Sequence, residues 1–418
     1  MPDIRINQST LSPEVDEAAM QSHLARHYQS KAGDPPLCLC QDLPIRMYIA
    51  RFGDRYVLKR WPNSGASHAV DCPRFEPPEE ASGMAKLAGK AIKTDTLTGA
   101  AHLSLGFSLE RVPRPSRPVP TGPEDPKAKS ELEDDPVADV SSKLSLRGLL
   151  HFLWQESGLN RWDPDQPERR TWYTIYPHLV AAATNMIVRD APLAQRILLP
   201  EPFDKESKDR QARERTALIS SVASDREKRR LLIFLVEIKA FDESAYGWKF
   251  TAKHMPERAF FLHKALYQAT LSRFQFEIGA FSEKPEHTHL MALGTISVSS
   301  AGNMNVEDMV LMIVEDHWLP FLSLHEHLVV DHAISTQRKF VKPMKFNMGP
   351  NRALASALFF DTPKLPTALY LKSENDTEAL KRGREDLISR SRFNSTFWDT
   401  STDRVPDDII DATRVSVQ

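Results

Sequence analysis

The sequence predicts a multidomain α+β protein, and three observations support this fold class. At 418 residues the chain is long enough for two or three domains of ordinary size. Its three cysteines gather near the N-terminus, which indicates a small zinc-stabilised β-hairpin module. A proline-rich acidic stretch separates this module from a helical segment and from apolar strands that alternate with helices, and these predict a C-terminal α/β domain.

Periodicity, prolines and charge runs divide the chain into seven segments. We predict a flexible lead with one helix (1–36), a zinc module with a hairpin (37–110), a Pro-rich acidic linker (111–142), a helical segment (143–203), an α+β segment (204–320), an α/β segment (321–400) and a tail (401–418). Within them we expect helices over 14–28, 144–159, 173–188, 204–230 and 256–278, and strands over 46–51, 55–61, 231–239, 247–253, 290–298 and 310–314. The two helices after the linker are also compatible with a winged helix.

Charge and composition exclude several classes of function. The formal net charge of −2 provides no global field that would attract nucleic acid or an anionic membrane. No apolar run reaches the roughly 18 residues of a membrane span, so we expect no membrane partner. The first ten residues lack the basic start and apolar core of a signal peptide. An odd number of cysteines fits metal binding in a reducing cytoplasm better than disulfides.

The cysteines form a pattern typical of a metal site. Cys38-x-Cys40 supplies two thiolates, and His68-x-x-x-Cys72 supplies an imidazole and a third thiolate. These are the ligands of a tetrahedral Cys3His zinc site, and four protein ligands leave no position for a catalytic water. We therefore predict a structural zinc rather than a catalytic one. The alternative is that these are three ordinary buried thiols beside a surface histidine.

The predicted hairpin between the ligand pairs is basic and aromatic, which is typical of a nucleic-acid-binding surface. Phosphate contacts are expected from its cations, and base stacking from its tryptophan: Arg46, Arg51, Arg55, Lys59, Arg60 and Trp61. The alternative is a solvated face whose aromatic side chains pack on the module's own small core.

Several of these motifs together resemble one bacterial family. They are the three cysteines, Arg60-Trp61-Pro62 with the following Gly65 and His68, Phe75-Glu-Pro-Pro78, the stretch from Leu150 to Leu159, and Arg338-Lys-Phe-Val-Lys342 with Asp361. The chain is identified as a member of domain of unknown function family DUF1173. The resemblance implies an association with plasmids and integrative mobile elements, and it implies no reaction.

The C-terminal segment also resembles the core of restriction-endonuclease-like nucleases. The resemblance rests on a helix with Glu326 over 321–334, a strand over 339–346, a strand over 353–360 that ends at Asp361, a strand that ends at Lys372, and a helix over 377–388. Those enzymes use two carboxylates to hold Mg²⁺ and a lysine to assist the attacking water. Here Tyr370 stands where the second carboxylate belongs, and a phenol is a poor Mg²⁺ ligand. The alternatives are a non-cleaving relative or an ordinary α/β domain.

Other motifs in the sequence give little support for a catalytic function. Glu237-Ile-Lys239 is a Glu-x-Lys on a buried strand, but no suitable upstream acid accompanies it. His325 and His327 flank Glu326 without the H-E-x-x-H spacing of zinc proteases. His287 and His289 stand in a polar stretch and are expected to be solvated. The sequence has no P-loop, nucleophile elbow or dinucleotide fingerprint.

The function that these observations favour is non-catalytic binding of nucleic acid or of a partner protein, in the service of a mobile genetic element. Two alternatives remain open at this point. One is a Mg²⁺-dependent nuclease that uses Glu326, Asp361 and Lys372, and the other is an adaptor that docks a partner protein through the zinc hairpin.

Overall fold

The computed structural model describes most of the chain. The described residues are 2–12, 14–30, 34–52, 55–61, 64–69, 72, 74–75, 77, 81–95, 98–111, 142–165, 170–223, 229–244, 247–349, 352–362, 365–402 and 405. The predicted linker lies outside them except for its two end residues, and the predicted tail lies outside them almost entirely. Helices and several sheets are both present, so the α+β class is confirmed.

Eight helices are found in the described part of the chain. They are α1 (Glu17–Ser30), α2 (Leu146–Glu156), α3 (Trp172–Asn185), α4 (Lys208–Ser220), α5 (Lys264–Arg273), α6 (Gln275–Glu283), α7 (Leu324–Ser335) and α8 (Glu378–Arg390). Hydroxyl side chains accept a hydrogen bond from the first turn at α2, α3, α7 and α8, which explains where these four helices begin. None of the described helices is long and apolar enough to cross a membrane.

The strands of the first half of the chain are short. They are β1 (Ile4–Ile6), β2 (Ser9–Leu11), β3 (Leu37–Cys38), β4 (Ile45–Phe52), β5 (Arg55–Arg60), β6 (Ile92–Thr94), β7 (Ala101–Leu103), β8 (Glu110–Arg111), β9 (Arg161–Trp162), β10 (Met186–Val188) and β11 (Ala191–Pro192). The second half adds β12 (Ile197–Leu198), β13 (Arg229–Arg230), β14 (Leu232–Ser244), β15 (Gly247–Ala252), β16 (Met255–Leu262), β17 (Thr288–Val298), β18 (Met304–Glu315), β19 (Phe340–Val341), β20 (Ala357–Phe359), β21 (Thr367–Lys372) and β22 (Asn394–Asp399).

The N-terminal residues form a sheet rather than a flexible lead. The strand order is β2-β1-β3-β4-β5, so the predicted hairpin β4–β5 is one edge of a five-stranded sheet. Helix α1 covers one face, where Leu24 packs against Ile4, Ile6 and Tyr56. Strands β1 and β2 were not predicted, because strands of three residues are too short to show a hydrophobic periodicity.

Residues 81–111 pack in the central body. Strands β6 and β7 join a sheet of order β11-β10-β7-β6, and β10 comes from the predicted helical segment. Leu87, Ile92 and Leu103 lie in the same buried core as Leu149 and Trp154 of α2. Helix α2 is buried along most of its length, whereas α3 has both buried and exposed residues.

The central body contains a closed circuit of strand pairs. Pairing runs from β14 through β15, β16, β18 and β17 back to β14, and β12 adds to β14 in parallel. The rings of Phe250 and Phe260 stack inside it with centroids 4.6 Å apart. A Cβ on Gly294 would lie 2.3 Å from the Asp308 carbonyl oxygen and 2.7 Å from the Phe234 ring, so only glycine fits where these strands meet.

One long predicted helix is wrong. Residues 256–278 were expected to be helical, but the first of them complete β16, and helices α5 and α6 follow. Pro256 is compatible with a strand, and Phe260 and Leu262 alternate inward across the β15–β16 hairpin. The predicted helix over 204–230 is shorter in the structure, where α4 is Lys208–Ser220, and part of its remainder lies outside the described residues.

The C-terminal segment has the predicted order of elements with shorter strands. Helix α7 is followed by β19, β20 and β21 in antiparallel pairs, and α8 then leads to β22, which is parallel to β21. Strand β9 from the predicted helical segment pairs with β19 and extends the sheet. The sheet of this segment therefore includes β9, a strand that precedes the predicted segment boundary at residue 321.

Candidate metal centre

Three thiols and one imidazole meet where the central strand of the N-terminal sheet ends. Cys38 ends β3 and Cys40 follows it, while His68 and Cys72 lie in the turns after β5. Their ligand atoms all lie within 4.8 Å of one another, and the cluster can hold a metal ion. Cys38, His68 and Cys72 are buried, and Cys40 is half-buried. No other group of metal-ligand type with this geometry occurs among the residues that the structure describes.

The distances within the cluster match a zinc tetrahedron. With Zn–S bonds of about 2.3 Å and a Zn–N bond of about 2.0 Å, tetrahedral ligands lie about 3.8 Å apart for two sulfurs and about 3.6 Å apart for sulfur and nitrogen. The Cys38 and Cys72 sulfurs are 3.9 Å apart. The Nδ1 atom of His68 lies 3.3 Å from the sulfur of Cys40 and 3.7 Å from that of Cys72. The sulfurs are far too distant for a disulfide, and all three thiols are free.

The surroundings of the cluster favour ligation over ordinary burial. The backbone amides of Ala69 and Arg74 each donate to a cluster sulfur at 3.4 Å, the first to Cys40 and the second to Cys72. Such bonds stabilise a thiolate, which is the form that binds metal. The buried Nε2 atom of His68 has no hydrogen-bond partner among the described residues. The described polar contacts of this imidazole are therefore with the cysteines alone.

The hydrogen bond between Cys38 and Cys72 moves the pKa values of the two thiols in opposite directions. It lowers the pKa of Cys38 and raises that of Cys72. Burial raises the pKa of Cys40. A divalent cation would supply the positive charge that a second and a third thiolate need.

The metal cluster is fastened to the body of the protein. Arg161, which begins β9, donates to the Cys72 carbonyl oxygen at 3.1 Å and also to the carbonyl of Phe75. The ring of Phe75 packs edge-on against Phe360 with centroids 5.2 Å apart. Arg60 of β5 pairs with Glu156 of α2 at 3.0 Å. The segment that contains the Cys3His cluster is thus joined to the rest of the chain by specific contacts.

Comparison with models of protein families assigns the chain to a family. The family model described as "Protein of unknown function (DUF1173)" matches residues 5–401, nearly the whole chain. The protein belongs to the DUF1173 family. Comparison with curated proteins and with solved structures gave no match.

The predicted nucleic-acid-binding residues do not share one exposed face in this DUF1173 protein. Arg46 and Arg51 are exposed, and the Arg51 guanidinium lies 5.9 Å from the centre of the Tyr56 ring. Lys59 is half-buried, and burial lowers its pKa to about 8.

The two remaining described members of the predicted surface are also partly buried. Arg60 forms the ion pair with Glu156, and half-buried Trp61 meets Tyr48 edge-on at 6.5 Å. The side chain of Arg55 lies outside the described part of the chain. Arg46 and Arg51 remain exposed, but they are five positions apart on β4 and so lie on opposite faces of the sheet.

The structure places the predicted nuclease residues apart. Asp361 accepts two hydrogen bonds from Arg338, at 2.7 and 2.9 Å, and one from the Lys339 amide at 3.0 Å. It follows β20 and lies beside the start of β21, because Phe359 pairs with Thr367. Lys372 is the last residue of β21, which places it roughly 17 Å further along the strand at about 3.4 Å per residue. Asp361 and Lys372 therefore lie at opposite ends of this strand pair.

Glu326 and Lys372, the other two predicted catalytic residues, contact different residues and not each other. Glu326 lies 2.9 Å from the Lys342 ammonium and accepts a hydrogen bond from the Leu322 amide at 2.8 Å. The Lys372 ammonium lies 3.7 Å from the centre of the Phe397 ring. Tyr370 is buried in a hydrophobic cluster, and burial raises its pKa. None of the three predicted catalytic residues has a described contact with another.

Sequence reasoning missed two groups of residues. Tyr28 on α1 is exposed and its ring centre lies 5.3 Å from that of Tyr56, the same ring that the Arg51 guanidinium approaches. His289, predicted to be solvated, instead binds the buried carboxylate of Glu237 at 2.6 Å. No local motif signals either contact, because each joins elements far apart in the chain.

Proposed function

We propose that this DUF1173 protein is a zinc-stabilised, non-catalytic binding protein that contacts nucleic acid. The observation that carries the proposal is the closed set of four protein ligands at the metal cluster, which leaves no position for substrate or water. Three thiolates and one imidazole suit Zn²⁺ and exclude Ca²⁺ and Mg²⁺, which prefer oxygen ligands. The free thiols also support a reducing compartment such as the cytoplasm.

The zinc in this proposal fixes the N-terminal sheet. Cys38 lies on β3 in the middle of that sheet, whereas Cys72 lies in the loop that Arg161 holds against β9. Binding both to one ion ties the sheet to the body. The metal thus acts on fold and on the placement of the exposed hairpin residues.

Arg161 should affect metal affinity without being a ligand. An Arg161→Met variant loses the hydrogen bonds to the carbonyls of Cys72 and Phe75, and we expect its zinc affinity to fall about tenfold, the low end of outer-shell effects. Competition with a chromogenic chelator measures the affinity. Arg382→Met, at an exposed position on α8, is the control and should leave it unchanged. Equal affinities in the wild type and Arg161→Met would contradict a role for this clamp.

The proposed nucleic-acid surface consists of Arg51 and Tyr28, which both lie against the Tyr56 ring. Arg46 is five positions away on β4 and so lies on the other face of the sheet. The exposed Arg51 guanidinium supplies a phosphate contact. Tyr28 is 43% exposed, which leaves its ring open to stack against a base. This combination of cation and aromatic ring favours single-stranded nucleic acid. A role in mobile genetic elements is supported by the resemblance of the sequence motifs.

We expect binding of a single-stranded oligonucleotide that weakens as salt rises, because phosphate contacts release counterions. An Arg51→Glu variant should bind at least about tenfold more weakly. The charge-matched control is Arg382→Glu, which changes an exposed arginine of the C-terminal segment. Fluorescence anisotropy at several salt concentrations measures the affinities. Salt-independent binding, or equal loss in both variants, would rule out this surface.

The nuclease alternative gains no support from the geometry. Its Mg²⁺ site would need at least two carboxylates close together. Asp361 is bound to Arg338, Glu326 is bound to Lys342, and Tyr370 stands where the glutamate belongs. We therefore do not propose cleavage. Docking of a partner protein remains the interpretation that the oligonucleotide experiment would favour if no binding were found.

A further inference from the structure

A small surface cavity lies between helices α3 and α4, and its volume is about 160 Å³. Ile197 and Leu198 of β12 are buried at its base. Val180 of α3 and Leu218 of α4 are half-buried and line its sides. An apolar cavity of about 150 Å³ can hold a benzene molecule, so this space admits a group of that size. Ligands of drug or nucleotide size occupy roughly 300–1,000 Å³ and do not fit.

The polar side chains that line the cavity are grouped around Tyr176 of α3. Glu201, Glu214 and Arg215 line the same cavity, and the charge of each of them changes the pKa of Tyr176. Arg215 donates to Glu201 at 2.8 Å and to Glu257 of β16 at 2.9 Å. The Tyr176 hydroxyl forms no hydrogen bond with a described residue. It is therefore the polar group of the cavity that can bond to a ligand without losing a described partner.

The electrostatic potential at the Tyr176 hydroxyl is negative. Burial raises the pKa of Tyr176, and the carboxylates of Glu201 and Glu214 raise it further, whereas the smaller effect of Arg215 lowers it. Glu214 also pairs with Arg210 at 3.3 Å, but both side chains are exposed and water screens this pair. The guanidinium of Arg215 thus does not cancel the two carboxylates. A cation beside the hydroxyl would be stabilised there, and an anion would be repelled.

Other kinds of ligand do not fit this arrangement. An anion would need an unpaired cation, and both terminal nitrogens of Arg215 already donate to carboxylates. A metal ion would need more ligands, because Glu201 and Glu214 belong to no group of three ligating side chains in the described part of the chain. A wholly apolar molecule would cover the Tyr176 hydroxyl without bonding to it, which costs free energy.

We propose that the cavity between α3 and α4 binds a small organic cation, namely an ammonium group carried on a short apolar or aromatic body. The body occupies the apolar space over β12. The ammonium group donates to the Tyr176 hydroxyl oxygen and lies beside the Glu201 carboxylate. A free amine and a lysine side chain share this chemistry, and a titration distinguishes the two sources. The site is separate from the Cys3His cluster and does not depend on the proposed nucleic-acid surface.

The test is an NMR titration of the full-length protein with labelled methyl groups. Benzylammonium should shift the methyl signals of Val180, Ile197 and Leu218, whose side chains line the cavity. Benzyl alcohol and benzoate carry the same ring and differ in charge. Benzyl alcohol should bind at least about fivefold more weakly than benzylammonium, and benzoate at least about tenfold more weakly.

Nα-acetyl-lysine amide represents the lysine side chain of a peptide. Displacement of benzylammonium by this compound would assign the site to a lysine of a partner. Benzylammonium binding without such displacement would assign it to free amines.

Variants locate the ligand within the cavity. Tyr176→Phe removes the hydroxyl and should weaken benzylammonium binding about fivefold, which is the effect of one hydrogen bond. Glu214→Gln removes a negative charge at an exposed position and should weaken it about threefold, while the affinity for benzyl alcohol stays unchanged. Glu385→Gln is the matched control, because it changes an exposed glutamate on α8 and should alter neither affinity.

Three results would contradict the proposal. Cavity methyl signals that do not respond to benzylammonium in the wild type would overturn it without any variant. Benzoate that binds as tightly as benzylammonium would overturn the assignment to a cation. Equal loss of benzylammonium affinity in Glu214→Gln and Glu385→Gln would show that the overall charge of the protein attracts the amine, and would overturn the site.

Discussion

Removal of two metal-binding thiols should abolish zinc binding and unfold the N-terminal sheet. We expect wild-type protein to contain one zinc per chain and the Cys38→Ser, Cys40→Ser variant to contain none. The free energy of unfolding of the sheet should fall by about 5 kcal/mol, which is part of the roughly 10–16 kcal/mol with which zinc-finger peptides bind zinc. The reason is that Cys38 lies within a sheet of mostly short strands, which has little stability of its own. A metal ion bound by both Cys38 and Cys72 would stabilise this sheet.

Elemental analysis and denaturant unfolding measure these two effects. A chelator added to the wild type should reproduce the loss of stability, and added zinc should reverse it. His102→Asn is the matched control, since this exposed histidine on β7 has no part in the cluster. Limited proteolysis should cut the N-terminal sheet of the serine variant first. A fully folded protein without metal would refute the structural role of zinc.

The Cys3His cluster could be predicted from sequence because its pattern is local. Cys38 and Cys40 are two positions apart, His68 and Cys72 are four apart, and no other cysteine competes with them. Each pair forms one half of a tetrahedral site wherever the chain between them folds back. The structure brings the halves together through the β4–β5 hairpin, which the glycine and the alternating residues predicted.

The register of the strands could not be predicted in the same way. The C-terminal elements appear in the expected order, yet the position of Asp361 against Lys372 depends on which residues of β20 and β21 pair. A short apolar strand allows several registers, and tertiary packing selects one. The order of the C-terminal elements could therefore be predicted from sequence, but the relative position of residues at the strand ends could not.

Long-range side-chain contacts were the least predictable part of the structure. Glu237 was noticed as part of a Glu-x-Lys pattern, but Lys239 is exposed and its ammonium is not the partner. The partner is Lys253, on the next strand turn, and His289 comes from a third strand. The strand β16 was predicted as helix, so the turn that carries Lys253 and His254 was not visible in sequence.

A Glu326→Gln substitution should destabilise the protein by about 3 kcal/mol, the low end of the effect of breaking a buried ion pair. The Lys342 side chain is 2% exposed, and its ammonium forms an ion pair with the Glu326 carboxylate at 2.9 Å but makes no hydrogen bond to a described residue. Lys345 is near the same carboxylate, and burial lowers its pKa while Glu326 opposes that change. Glutamine keeps the size of the side chain but removes the negative charge. The buried ammonium groups then lack a counter-charge.

A double-mutant cycle separates this structural role from catalysis. Because removal of both charges of a buried pair is often nearly neutral, Glu326→Gln, Lys342→Met should recover most of the stability that Glu326→Gln loses. Lys372→Met is the comparison, since that ammonium lies near the surface over the Phe397 ring and should change the free energy of unfolding by less than about 1 kcal/mol. Denaturant unfolding measures five proteins: the wild type, Glu326→Gln, Lys342→Met, the double variant and Lys372→Met. A catalytic carboxylate would behave differently: its loss would leave stability unchanged, and Lys342→Met would restore nothing. Recovery of the free energy of unfolding in the double variant would show that Glu326 has a structural role. Removal of the second charge of an ion pair restores stability, whereas removal of a second catalytic residue does not.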